Sequence, residues 1–278
     1  MTTILLATDL SPQADRALAR AALLAQSRGE GLAVLHAVGQ ELRAGPAQAA
    51  ALAAAEGHLA DDLAEAGLPA ALAVTRLVRA GEAGPAIVAA AKEAGSSLVV
   101  LAAPRADLLV EMFRRSVLHH AVRHAPCPVL VVRRRARQAW RRIVVGVDLS
   151  QPSRRALEAA LRLLPAEAMA EVELTVVHAR LSALPPAEVA EQRARVEDML
   201  TAALARLAAE GGQAPARALA VTEAGTPEAV LAAEVRRRRA ELAVVGTMGL
   251  TGAANLLLGS TAETVLATLP CDVLAVRG

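Results

Sequence analysis

Tyrosine is absent from this chain of 278 residues, and Phe113 and Trp140 are its only phenylalanine and tryptophan. Proteins that grip single-stranded nucleic acid stack bases on aromatic side chains, so that class is set aside. Lysine is nearly missing as well. Lys92 stands alone in a helical AAAKEAG stretch, and every other basic residue is arginine. A P-loop requires Gly-x4-Gly-Lys-Ser/Thr with its lysine on the terminal phosphates, which excludes that class of nucleotide hydrolase. The short Gly-x-Gly-x-x-Gly dinucleotide fingerprint is also absent. A formal net charge of +2 is too small to point to a polyanionic partner. No nucleic-acid partner is expected.

Two cysteines cannot make a disulfide framework. Cys127 and Cys271 each follow a proline and open an apolar run, the placement of a small buried hydrophobe, and a reducing cytoplasmic location fits them. The start, MTTILLATDLS, reaches an aspartate within nine residues and has no basic opening, unlike a signal peptide. Residues 242–262 carry no charge and would be long enough to cross a bilayer. Four glycines, Asn255, Ser260 and several threonines interrupt them, so no membrane partner is expected either.

What the chain does have, with 54% apolar residues, is the same text twice. ILLATDLSPQADRAL returns as IVVGVDLSQPSRRAL, LAVLHAV as LTVVHAR, VRAGEAGPAIVAAA as VTEAGTPEAVLAAE, and HAPCPVLVVR as TLPCDVLAVR. Two domains follow, 1–137 and 138–278, joined through the basic run RRRARQAWRR, which reads as a solvated linker. In the second copy, apolar runs at 143–147, 172–178, 216–221, 242–246 and 273–276 alternate with helical patterns at 153–164, 186–210, 227–239 and 261–269. Continuous apolar strands joined by helices make a parallel sheet covered on both faces. The expected fold class is α/β: two tandem doubly wound domains of five parallel strands, order 3-2-1-4-5.

In such a sheet, ligands bind beyond the carboxyl ends of the strands where the strand order reverses. Asp148 ends the first strand of copy two and Gly246 ends the fourth, so both border that crevice. Between Gly246 and Ser260 runs GTMGLTGAANLLLGS, in which Gly246, Gly249 and Gly259-Ser260 are spaced by two and then nine residues. Glycine costs backbone entropy where it is not required, so the cluster points to main chain that something must approach closely. Ser260 begins the last helix, and a helix start offers free amides and a positive dipole end to a phosphate. A second reading stays open: Ser260-Thr-Ala-Glu263 also fits a capping box, with the glycines as simple turn residues.

The motif Gly246-x2-Gly249-x9-Gly259-Ser260, placed after an apolar strand and before PCDVLAV, resembles the nucleotide-binding signature of the universal stress protein family. Asp148 and His178 at two strand ends fit the same pattern, and the resemblance covers nearly the whole chain, once per repeat. It implies an adenine nucleotide alpha hydrolase-like fold that usually dimerises and holds ATP or ADP, with magnesium as a companion ion. By position, it places Val147 and Asp148 in the adenine pocket, with Asp148 accepting from the base. Ala179 would offer backbone groups to the adenine and Gly246 would lie beside the ribose. Gly249, Gly259, Ser260 and Thr261 would hold the phosphates. Ala262 departs from the pattern, since a hydroxyl residue often stands there in members that bind ATP.

Copy one departs further. Opposite Gly246, Gly249 and Gly259 it has Ala102, Arg105 and Arg115, and only Ser116 is kept. Its arginines are expected to fill the phosphate space, one of them pairing with Asp9, so that copy one binds no ATP. His119, His120, His124 and Cys127 have a spacing that could ligate zinc, but they also end a helix, where histidine suits the dipole. No metal site is expected. His36 and His178 recur at strand ends and read as structural hydrogen-bonding groups; with no convincing nucleophile and base, no catalytic residue is assigned. The expected function is a nucleotide-responsive stress or regulatory protein that acts on an unidentified protein partner and is not an enzyme. A slow magnesium-dependent ATPase and a nucleotide-free stress protein remain as alternatives. The two copies are expected to pack as an internal pseudo-dimer, with a homodimer of chains left open.

Overall fold

The computed structural model of the protein describes residues 2–39, 45–103, 117–163, 166–247 and 258–277. It divides into two compact units, Met1–Gln138 and Ala139–Gly278. In the first unit the strands are β1 (Thr3–Thr8), β2 (Gly31–Val38), β3 (Val74–Ala80), β4 (Leu98–Ala102) and β5 (Val129–Val132). The described helices are α1 (Ala14–Arg28), α2 (Pro46–Glu65), α3 (Ala83–Glu93) and α4 (Val117–His124). The strands lie side by side as β3-β2-β1-β4-β5, and all the pairings between them are parallel.

The second unit repeats this plan with β6 (Arg142–Val147), β7 (Glu173–Arg180), β8 (Arg217–Ala224), β9 (Leu242–Gly246) and β10 (Asp272–Val276). Its helices are α5 (Gln151–Leu163), α6 (Pro186–Ala209), α7 (Pro227–Arg238) and α8 (Ser260–Thr268). The order β8-β7-β6-β9-β10, again parallel, is the 3-2-1-4-5 order expected from the sequence. A short 3-10 turn at Ala166–Glu171 is the one described element of this unit that apolar periodicity did not disclose.

The central strands are buried along their length because helices cover both faces of the sheet. Leu5, Leu6, Val99 and Val100 in the first unit, and Val144, Val145, Ala243 and Val244 in the second, are fully enclosed. Each Leu or Ile so buried stabilises its unit by about 1.5–3 kcal/mol. In the second unit α5 and α6 pack on one another, and α7 with α8 form the other pair. Gly146 belongs to the α7 side: a Cβ built on it would touch the Leu231 methyls at 3.5 Å. After β8 the chain turns at Gly225, whose φ of 144° favours glycine and whose amide donates to the Arg180 carbonyl at 3.0 Å. Gly81 does the same in the first unit, with φ 125° and its amide on the Val38 carbonyl. The repeated text therefore encodes repeated turn geometry.

The basic joint is more firmly held than a solvated linker. Arg134, Arg135 and Arg137 are exposed, yet the main chain beside them is tied to α1. Arg16 Nη1 donates to the Arg133 carbonyl at 2.8 Å, and Arg20, itself buried, donates to that of Gln138 at 2.9 Å. A second basic run, Arg236–Arg239 at the end of α7, reaches back onto its own helix. Arg237 and Arg238 both pair with the buried carboxylate of Glu234, at 2.7 and 2.9 Å. No described helix is long and apolar enough to cross a membrane.

Cys271 is fully buried and Cys127 half-buried. Burial pushes the Cys127 thiol up to about 11, although a hydrogen bond from the Val99 backbone pulls it the other way. The folded protein therefore holds this proton more tightly than the unfolded chain does. Stability that is complete below pH 9 is expected to fall as pH rises from 9 towards 11, by up to about 2 kcal/mol. Urea midpoints at pH 8 and pH 11 check this, because Cys127→Ser should flatten the difference. With no tyrosine and a single lysine, few other groups titrate in that window.

Candidate functional site

Strand β6 lies between β7 and β9, so the chain leaves it towards one side of the sheet and later returns on the other. That reversal puts the crevice at the carboxyl ends of β6 and β9. Val147, buried at the end of β6, is paired with His178 of β7, and Ala179 and Arg180 follow. Gly246 ends β9 opposite Val276 of β10. Val147, Asp148, Ala179 and Gly246 are thus brought to one edge of the sheet.

Directly after Asp148 the backbone takes a strained turn. Leu149 has φ 66°, a left-handed conformation uncommon for a side chain of its size. The carboxylate of Asp148 steadies it, with Oδ1 accepting from the Ser150 amide at 3.0 Å. Ser150 Oγ then accepts from the Ser153 amide at 3.2 Å and closes the start of α5. His178 holds the strand end from the neighbouring side: its Nδ1 lies 2.9 Å from the Val147 carbonyl, to which it donates. The first unit repeats the turn and both ties at the strand end, with Leu10 at φ 58°, Asp9 Oδ1 accepting from the Ser11 amide, and His36 Nδ1 on the Thr8 carbonyl. Since copy one lacks the glycine motif, this turn belongs to the fold rather than to a ligand.

The glycine segment is anchored at both ends. The amide of buried Thr247 donates to the Val276 carbonyl at 2.9 Å, and the Gly259 amide donates to the Thr247 carbonyl at 3.0 Å. Gly249 lies outside the described residues, as do Arg105, Arg115 and Ser116 of copy one, so the expected pairing of an arginine with Asp9 falls outside them as well.

At Gly259 the capping box does not form. Gly259 itself is the residue before α8, it has no side chain to cap with, and Ser260 is already helical. By contrast α7 begins on Thr226, whose Oγ1 accepts from the Ala229 amide. A helix start leaves its first four amides without partners inside the helix. At α8 one of these, that of Gly259, is spent on Thr247, and no described residue accepts from the amides of Ser260, Thr261 and Ala262. Nor do the described residues demand glycine at 259. Its φ is −65°, and among the described residues a Cβ there would meet only the Thr247 carbonyl, at an ordinary 3.6 Å.

Thr261 brings a partner that sequence reasoning missed. Its hydroxyl donates to Glu228 Oε1 at 2.8 Å, across from α8 to the first turn of α7. The two residues stand 33 apart in the chain, and no periodicity or motif links them. Ser150 and Ser153 were also passed over, although their spacing in DLSQPS is that of a helix start.

Two histidines of α4 lie beside one another. The rings of His120 and His124 are tilted by 44° with centroids 4.6 Å apart, and His120 packs over Gly84. Among the described residues no group of three or more His, Cys, Asp and Glu side chains is arranged to hold a metal ion.

Comparison with known proteins supports the fold independently. A universal stress protein from Archaeoglobus fulgidus DSM 4304 superposes with a TM-score of 0.70 at 19% identity, covering 99% of this chain and 96% of its own. A protein of unknown function from Pseudomonas aeruginosa PAO1 gives 0.63 at 24% identity, covering 100% and 92%. The universal stress protein E homolog of Haemophilus influenzae is 42% identical over 53 residues, which is 19% of this chain and 17% of that relative. The sequence model of the universal stress protein family matches residues 1–133 and again 139–277. The chain therefore belongs to the universal stress protein family, of which it carries two copies in tandem.

Proposed function

We propose that the second unit binds one adenine nucleotide, ATP or ADP, beyond β6 and β9, that the first unit binds none, and that occupancy governs which protein the chain meets. The observation that carries this reading is the start of α8: a glycine that φ does not require and that no described residue crowds, placed before amides that no described side chain closes. Oriented amides and a helix dipole at a strand-order reversal suit a phosphate. The strained turn at Leu149 and the main chain at Ala179 border the space left for the base.

Binding rather than turnover is favoured by what the polar side chains already do. Asp148 Oδ1 and His178 Nδ1 are both engaged in holding the end of β6.

Denaturing the purified protein and analysing the released small molecules by mass spectrometry is expected to give about one adenine nucleotide per chain. Nucleotide-free protein should gain about 2.7 kcal/mol of stability at a nucleotide concentration a hundred times the Kd. Two nucleotides per chain would overturn the silence of the first unit. No released nucleotide and no thermal shift would leave a protein that acts through protein contacts alone. ATP turnover lost in Asp148→Ala would make the second unit an enzyme.

A further inference from the structure

Three polar atoms of the second unit are shut away from solvent with no hydrogen-bond partner among the described residues: Arg180 Nε, Gln192 Oε1 and Thr222 Oγ1. They come from the end of β7, the second turn of α6 and the end of β8, and the strand register gathers them. Val177 pairs with Gly146, whose face is turned to Leu231 of α7. Side chains alternate along a strand, so His178 and Arg180 lie on the opposite face, under α5 and α6. Thr222 pairs with His178 and shares that face. Arg180 and Thr222 are diagonal neighbours, about 7–8 Å apart at Cα, within reach of a long side chain. Gln192 stands one turn before buried Val196 and extends the stripe of Val196, Leu200, Ala203 and Leu207 that packs on β8 and β7. From Leu207 back to Gln192 is about 22 Å of helix, and β8 is about 23 Å long, so Gln192 is level with the carboxyl end of the strand.

The fold does not require polar groups at the two strand positions. In the first unit the same register pairs His36 with Val78 and Val38 with Ala80, so valines stand where the second unit has Thr222 and Arg180. Burying polar atoms unmet costs stability, and an occupant that meets them recovers it. The chemistry of the three atoms selects that occupant. Arg180 makes one hydrogen bond among the described residues, from Nη1 to the Leu181 carbonyl at 3.0 Å, and no ion pair. Its Nε–Nη2 edge is left, the fork that takes a carboxylate through two parallel bonds. The Thr222 hydroxyl supplies a further donor. Gln192 Oε1 is an acceptor, and beside a bare anion it would meet only lone pairs. A hydroxyl on the carbon next to the carboxylate satisfies it. An ammonium there would instead set a second cation beside the guanidinium.

We infer that the second unit holds a small α-hydroxycarboxylate between the ends of β7 and β8 and the second turn of α6, its carboxylate on Arg180 and Thr222 and its hydroxyl on Gln192. The site is centred about 10 Å, two strand spacings, from the β6–β9 crevice and does not rest on the nucleotide-binding reading. The test is titration of the full-length protein with lactate, acetate and glycine, followed by amide NMR shifts, for wild type, Arg180→Val, Thr222→Val and Gln192→Leu. Lactate is expected to shift residues at the ends of β7 and β8 and to bind at least about tenfold tighter than acetate or glycine. Arg180→Val should weaken lactate at least about tenfold, and Thr222→Val should weaken it less. Gln192→Leu should bring lactate and acetate within about twofold of each other. Excess ATP should not displace lactate. Since valine already serves at both strand positions in the first unit, the valine variants should fold, and the double variant should unfold at a higher urea concentration than ligand-free wild type. Four results would each overturn the proposal: no lactate-dependent shifts, affinity unchanged in Arg180→Val, acetate or glycine binding as tightly as lactate, or displacement of lactate by ATP. A double variant with a lower urea midpoint would overturn it too, by showing that the fold itself uses these polar groups.

Discussion

Replacing Gly259 with aspartate is expected to lower nucleotide affinity at least about a hundredfold while making the protein slightly more stable, by about 0.5 kcal/mol. The opposite signs come from one feature. Gly259 is the residue before α8, and aspartate is among the best residues at such a position because its carboxylate accepts from the amides of the first turn. The backbone there, at φ −65°, accepts any side chain, and among the described residues a Cβ meets nothing closer than 3.6 Å. The substitution should therefore fold and gain a cap together with a favourable charge at the dipole's positive end. Those same amides are the ones left for a phosphate, and the new carboxylate both occupies them and repels the ligand. Gly259→Ala separates the two effects, since it adds a methyl without charge or acceptor and should keep most of the affinity. Urea titration and calorimetry on the same preparations read both quantities. An aspartate variant that still binds ATP normally would show that the start of α8 is not where phosphate sits.

The fold was largely legible in the sequence because its signal is redundant. Each strand is an apolar run buried on both faces, each helix follows a visible turn, and the plan is written twice, so an ambiguous boundary in one copy is settled by the other. The expected ends of β9 and α7 lie within a residue of those observed, while β8 runs on to Ala224, beyond the expected 221, because its far end is half-exposed and carries Thr222 and Glu223. The candidate site was legible only where it consists of main chain. Strand ends follow from the topology, which brings Val147, Asp148, Ala179 and Gly246 to one edge of the sheet. It was not legible where side chains meet across the fold. The bond from Thr261 to Glu228 joins two helix starts 33 residues apart, and the choice between a capping box and an open helix start turned on whether Ser260 stood before the helix or inside it. A shift of one residue decides that, and helix boundaries read from sequence are no finer than this.

Trp140 illustrates the same limit and leads to the largest expected loss of stability. In the sequence it is a lone aromatic inside a basic run; in the structure it is 2% exposed, and its indole Nε1 donates to Asp272 Oδ2 at 3.0 Å. Asp272 is itself 1% exposed. A buried carboxylate is tolerated only where donors meet it. Trp140→Phe keeps most of the ring volume but withdraws one donor from that carboxylate, and is expected to destabilise the second unit by about 1–3 kcal/mol. Trp140→Ala adds a cavity and should cost about 3–5 kcal/mol. The gap between the two variants measures packing, and the phenylalanine variant alone measures the hydrogen bond. Denaturant unfolding followed by far-ultraviolet circular dichroism provides the readout, since both variants lose the only tryptophan. Trp140 precedes β6, whereas Asp148 follows it. Six residues of strand, about 20 Å, separate this pair from the candidate crevice. Nucleotide stoichiometry in the folded phenylalanine variant should therefore remain that of wild type. Stability unchanged in Trp140→Phe would mean that the Asp272 carboxylate does not depend on the indole, and the assignment of this bond as a structural tie within the second unit would fail.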